Sequence, residues 1–201
     1  LMLGRHSNNN DVVIGTPMAN RLQAELDPLI GFFANTMVLR THSVGCDTVS
    51  DYLEHVKKVN LAAQAHQDVP FEQLVEHLQV TRSTNHSPLF QIMLAMNSGT
   101  DTRLSLDGVT FSRRESDVVQ AKFDIVLRVN IDDNGLHFDW TYDKALFKES
   151  SIERYNQHLS NILMAMIEQP QLKLHELPML SDEEQNQLVH SWNGRQALTP
   201  E

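Results

Sequence analysis

Phe123-Asp124-Ile125-Val126-Leu127-Arg128-Val129-Asn130-Ile131, then Asn134-Gly135, then Leu136-His137-Phe138-Asp139-Trp140-Thr141-Tyr142 form the most explicit local pattern in the chain. Apolar side chains recur at 123, 125, 127, 129 and 131, and again at 136, 138, 140 and 142. A period of two places them on one face of a strand, and Asn-Gly is the dipeptide that most readily adopts a tight hairpin turn. The pattern predicts two antiparallel strands with one face buried.

C-terminal to this hairpin, Ser150 and Glu153 have the spacing of a capping box, and Ile152, Tyr155, Leu159, Ile162, Leu163 and Met166 form a helical stripe that Pro170 ends. That helix should pack on the sheet. Ser181 and Glu184 repeat the capping pattern before a last helix ending near Trp192.

N-terminal to the hairpin, Val109 to Glu115 is a weaker strand candidate, interrupted by Arg113 and Arg114. Leu89 to Met96 is apolar at nearly every position, which predicts a central strand covered on both faces. Phe71, Leu74, Val75 and Leu78 follow the i, i+3, i+4, i+7 rule of a short buried helix, with Pro70 as its first residue. Thr48 to Gln67 predicts a longer helix with Tyr52, Val56, Val59 and Ala63 as its stripe and Asp47 or Thr48 as its cap. Phe32 to Thr41 and Asp11 to Thr16 read as strands, the latter ended by Pro17, with a surface loop over Asn20 to Leu29. Leu1, Met2 and Leu3 read as the last turn of a helix stopped by Gly4. Strands and helices mix without regular alternation and without an internal repeat, so the expected class is α/β in the broad sense (α+β), a mixed β-sheet covered by helices.

At 201 residues and 41% hydrophobic, the chain is long enough for one real core. A formal charge of -10 gives no footprint for nucleic acid or an anionic membrane. Cys46 is the only cysteine, which excludes an intrachain disulfide and a thiolate zinc site, and suits a reducing compartment. The ten histidines are scattered singly, without ligand spacing, so no metal is expected. No apolar run nears the roughly 20 residues that span a bilayer. A cytoplasmic location follows from these features. The polar stretch 193–201 reads as the start of a linker after a unit spanning 1–192.

Several short strings stand out. Ile30-Gly31-Phe32-Phe33-Ala34-Asn35-Thr36 is followed by His66-Gln67-Asp68-Val69-Pro70-Phe71-Glu72, then by Pro88-Leu89-Phe90-Gln91. In this order they resemble motifs in the C-terminal half of the condensation domains of nonribosomal peptide synthetases. Gly15-Thr16-Pro17-Met18-Ala19-Asn20-Arg21 and Lys122-Phe123-Asp124 resemble further strings of that family. The family's catalytic signature, two adjacent histidines followed by Asp and Gly, belongs to the N-terminal half, and no His-His pair occurs here.

The resemblance implies a chloramphenicol acetyltransferase-like subdomain and amide-bond formation between thioesters tethered to carrier proteins by phosphopantetheine. This half would supply a tunnel wall and carrier contacts, bind no cofactor directly, and be inactive alone. The implied partners are the N-terminal half with its catalytic histidine, donor and acceptor carrier proteins, and a downstream adenylation domain. Self-association of an uncovered sheet is a further expectation. The alternatives are an epimerisation or heterocyclisation relative, against which the Phe-Phe-Ala-Asn-Thr string argues, and a non-catalytic docking platform.

Site residues follow from both lines of argument. Asn35, with Thr36 beside it, interrupts an apolar strand, and a buried amide must find partners or a ligand. It either pins a neighbouring loop or faces substrate. His66 beside Asp68 has the composition of a general base and its orienting carboxylate, while Asp68 two residues before Pro70 and Phe71 also suits a helix cap. Gln91 is the polar side chain of its strand best placed to meet another element. By resemblance, Arg21 forms an ion pair with the aspartate of the histidine motif across the subdomain boundary; otherwise it is a solvated loop arginine, and Arg40 has the same two readings. Arg82 matches the last motif together with Pro88 to Gln91.

Overall fold

A computed structural model describes residues 1–21, 23–80, 83, 86–97, 108–109, 120–132 and 135–192. Its centre is a five-stranded mixed sheet built from β1 (Asp11–Met18), β2 (Asn35–His42), β3 (Ile92–Asn97), β4 (Ile125–Asp132) and β5 (Gly135–Tyr142) in the order β2-β1-β3-β4-β5. The outer pairs β1–β2 and β4–β5 are antiparallel, and the inner pairs β1–β3 and β3–β4 are parallel.

The two strands pair antiparallel as their alternation predicts, but with Val129 opposite Phe138 and Leu127 opposite Trp140, where a turn at Asn134-Gly135 would have set Val129 opposite Trp140. Asp132 pairs with Gly135, so the connecting residues are 133 and 134, one position earlier than the Asn134-Gly135 expectation. They lie outside the described residues, as does most of the strand expected over Val109 to Glu115.

Helix α1 (Met2–Ser7) runs through Gly4 and stops at Asn8, whose φ is +50°. The expected stop at Gly4 fails for a packing reason: a Cβ there would sit 2.6 Å from the Asn9 carbonyl oxygen, so Gly4 allows the chain to fold back onto its own helix. Strand β1 likewise continues past Pro17. Its parallel pairing with β3 registers at Gly15–Met93, and Pro17 lies beyond that point, where its missing N–H interrupts no ladder on that side.

Helix α2 (Val49–Gln64) starts from a reciprocal capping box between Thr48 and Asp51. The N–H groups of Val49 and Ser50 donate to the carbonyls of Leu172 and Pro170 at 3.0 and 2.9 Å, so the segment after α4 (Glu149–Glu168) also caps α2. Val49, Tyr52, Ala165, Leu174 and Leu177 form the core cluster at this junction. Helix α4 begins after Lys148 without a side-chain cap, so the Ser150–Glu153 spacing falls inside its first turn. Trp140 Nε1 donates to Asn156 Oδ1 at 3.0 Å and ties β5 to α4.

Strand β3 is central, as predicted, but it is half-buried rather than covered on both faces. Between α2 and α4 the sheet is open: apolar cavities of about 340 and 440 Å³ share Leu1, Leu3, Ile14, Leu94 and Met96 as walls. The mixed sheet with its helices is the expected fold class. No helix among the described residues is long and apolar enough to cross a membrane.

Candidate functional site

Asn35 opens the edge strand β2 and uses its whole amide on one bend. Its Nδ2 donates to the carbonyls of Gln67 at 2.9 Å and Val69 at 2.8 Å, and its Oδ1 accepts from the Phe71 N–H at 3.2 Å. Phe71 is the first residue of α3 (Phe71–His77), whose N-cap, Pro70, offers no side-chain hydrogen bond. An amide from a strand more than 30 residues away therefore does the capping expected of Asp68. His66 and Asp68 are both exposed on this bend. Leu78, expected on the buried face of α3, is exposed because the helix ends at His77.

The next layer is aromatic. Phe71 meets Phe90 edge-on at 5.7 Å between centroids, and Phe90 meets Phe123 at 5.2 Å. Phe90 is 1% exposed and occupies the space over Gly15, where a Cβ would clash with its ring carbons. Gln91, beside it, donates to the Ser87 carbonyl at 3.1 Å, so it braces its own turn instead of reaching another element. Thr36 sits half-buried opposite Pro17. Arg82 lies outside the described residues.

Arg21 organises the loop between β1 and β2. Its guanidinium donates to the carbonyls of Leu26 and Leu29, the latter at 2.8 Å, and stacks 4.4 Å from the Phe33 ring centroid. Next to it, Asn20 has φ +52° and a buried Oδ1 with no hydrogen-bond partner among the described residues. Ile30 and Phe32 of the same loop are almost wholly exposed, at 105% and 94%. Arg40 pairs bidentately with Asp11 across β1 and β2, with Nη2 to Oδ2 at 2.6 Å, and holds that carboxyl below its usual range chiefly through hydrogen bonding. Both partners are well exposed. Among the described residues, no three His, Cys, Asp or Glu side chains converge as a metal site.

The fold agrees with comparison to known proteins. The family model described as "Condensation domain" matches residues 1–189. The chain belongs to the condensation-domain family. It is 38% identical over its full length to part of bacitracin synthase 3 of Bacillus licheniformis, and 39% identical over 96% of its length to part of malpinin synthetase of Mortierella alpina. It spans only about 3% and 2% of those proteins.

Among solved structures, it is similar to the X-domain in complex with OxyB from teicoplanin biosynthesis (TM-score 0.78, 25% identity, 90% of this chain and 41% of that one). The condensation-domain fold is also shared with holo-AB3403, a four-domain nonribosomal peptide synthetase, at TM-score 0.80 over 92% of this chain and 15% of that one, with 24% identity. This is the chloramphenicol acetyltransferase-like architecture of condensation domains.

Sequence reasoning missed one group of polar residues. His158 of α4 is 2% exposed; its Nε2 lies 3.0 Å from Glu184 Oε2, and its Nδ1 lies 3.0 Å from His6 Nε2. Arg5, beside His6, donates to the carbonyls of Leu174 and Leu177, both at 2.6 Å. The signal was present in part: His158 lies between Tyr155 and Ile162 on the apolar stripe, where a polar side chain must be buried with a partner. The identity of that partner, 152 residues away at His6, has no local signature.

Proposed function

We propose that the chain is the C-terminal subdomain of a nonribosomal peptide synthetase condensation domain, and that it forms one wall of the passage where two carrier-bound thioesters meet. In the reaction, the amine of the acceptor aminoacyl group attacks the donor thioester carbonyl. The C–S bond breaks, the amide forms, the phosphopantetheine thiol leaves, and the amine gives up a proton. The proton-handling histidine belongs to the N-terminal half. The contribution of this half is positioning, which counts because two tethered groups held in register react at high effective concentration. Phosphopantetheine is part of the tethered substrate and travels with the donor and acceptor carrier proteins.

The observation that carries this reading is the unfinished surface at the β1–β2 end of the sheet. The Asn20 acceptor, which has no partner among the described residues, the Arg21 loop and the exposed Ile30 and Phe32 lie together in sequence with the strand that presents Asn35. A buried acceptor without a donor is costly, and exposed apolar side chains favour a partner surface. The N-terminal half is the proposed partner, with Arg21 paired to the aspartate of its histidine motif. Arg40, His66, Asp68, Pro70, Phe71 and Arg82 support the motif rather than the chemistry. An adenylation domain following residues 193–201 and a cytoplasmic setting complete the proposal.

The test is a carrier-loaded condensation assay with this chain alone and with it joined to an N-terminal half. Product is expected only from the joined domain, and Arg21→Ala there should reduce turnover. Product above background from this chain alone would overturn the proposal. A second reading, a platform that docks another protein, draws on the likeness to an X-domain seen in complex with OxyB. Stable capture of a tailoring protein by a joined domain that makes no amide would favour it.

A further inference from the structure

We propose that Glu184, His158 and His6 form an acid-sensitive clasp that fastens the first helix to the C-terminal segment as long as the two imidazoles carry no more than one added proton between them. The three groups lie on α1, on α4 and on α5 (Asp182–Asn186), so the contact joins the two extremes of the described chain. His158 is buried between its partners, and its distances to them, 3.0 Å on each side, leave no room for a bridging water.

Protonation sets the direction of each bond. With both imidazoles neutral, His158 Nε2–H donates to the Glu184 carboxylate, and His158 Nδ1 accepts from His6 Nε2–H. One added proton placed on His158 Nδ1 would leave a cation beside Glu184. The central bond then reverses, with His158 Nδ1–H donating to His6 Nε2, while the remaining His6 proton moves to Nδ1. A second proton has no such place: two N–H groups would face each other at 3.0 Å and neither could accept.

The surrounding charges act in the same sense. Burial is the main cause that holds the His6 imidazole below its usual range, followed by positive charge on His158 and on Arg154, with Glu184 opposing. Tyr155 packs on His6 at 4.6 Å between centroids. Arg5, on the same helix, is turned toward the Leu174 and Leu177 carbonyls. Glu184 remains a carboxylate: burial disfavours its charge, but the Ser181 N–H and His158 outweigh that and lower its pKa.

A histidine whose folded pKa lies below its unfolded value of about 6.5 stabilises the fold above that pH. The contribution is lost as pH falls from there toward the folded pKa. Thermal unfolding of the chain between pH 7.5 and 5.5, with the same scan on His6→Phe and Glu184→Gln, tests the clasp. The wild-type midpoint should fall by roughly 2–4 °C more than that of His6→Phe over this range. Glu184→Gln should lower the midpoint already at pH 7.5, because His158 Nε2 then meets a neutral amide instead of a carboxylate. Imidazole ¹⁵N shifts of the wild-type chain give the answer even if a variant fails to fold. His6 should stay neutral below the pH at which an ordinary histidine takes its proton. Equal pH slopes in wild type and His6→Phe, or titration of His6 at the ordinary histidine value, would overturn the proposal.

Discussion

Asn35 at the edge of the sheet and His158 under α4 solve the same problem in opposite surroundings. Each is a polar side chain at least partly buried on its element, and each is satisfied by groups far away in sequence. Asn35 spends its hydrogen bonds on backbone groups of a bend near the surface, so it shapes a loop. His158, itself buried, spends its bonds on two ionisable side chains that lie nearer the surface, so it makes a junction whose strength depends on protonation. A neutral amide gives a fixed geometry, whereas an imidazole gives one that acid can release.

The contrast can be broken by mutation. The largest effect is expected beneath the edge, where Phe90→Ala should cost about 3–5 kcal/mol in urea unfolding, because the ring is enclosed by Phe71, Phe123 and the Gly15 backbone. Gly15→Ala should approach it, about 1–3 kcal/mol, since the enclosed ring has nowhere to move. If Gly15→Ala were neutral, the close packing of β1 on Phe90 would be refuted.

Asn35→Ala should cost about 2 kcal/mol by leaving two carbonyls and one N–H without their partner. Asn35→Asp should be no better, since a carboxylate can still accept from Phe71 but cannot donate to Gln67 and Val69. Recovery of wild-type stability by the aspartate would mean that only the cap matters. At the other junction, Arg5→Ala should destabilise by about 1–3 kcal/mol through the loss of two bonds to the C-terminal segment. Amide exchange should then speed up around Leu174 to Leu177 more than around Phe71, and the reverse order would show that the two regions are not independent.

Thr48→Ala should cost about 1 kcal/mol by removing the α2 cap. Smallest of all, Arg40→Ala should leave the melting temperature unchanged within error, because its partner Asp11 is also solvent-exposed.

Much of this was legible without coordinates. The antiparallel pairing of β4 and β5 follows from alternation, the Ser181–Glu184 box caps α5, and Pro170 follows the end of α4. These features depend on residues within a few positions of one another, where backbone geometry converts spacing directly into direction. The motif strings likewise selected Asn35 and Phe71 before their contact was known.

The errors share a cause. Asp68 has the right chemistry for a cap, but the helix after it is capped from a neighbouring strand. Gly4 has the right chemistry for a stop, but its missing Cβ makes room for Asn9. Leu89 to Met96 has the composition of a strand covered on both sides, yet the sheet is open beside it.

The amino-acid sequence by itself determined which segments are helices and strands, which face of each is apolar, and which family the chain resembles. Tertiary structure alone decided who satisfies Asn35 and Phe71, why Gly15 has no side chain, and that His6 meets His158 and Glu184. The reason is physical: periodicity fixes direction along one element, but the partner of a buried polar group is chosen by whichever distant element the packing brings within about 3 Å.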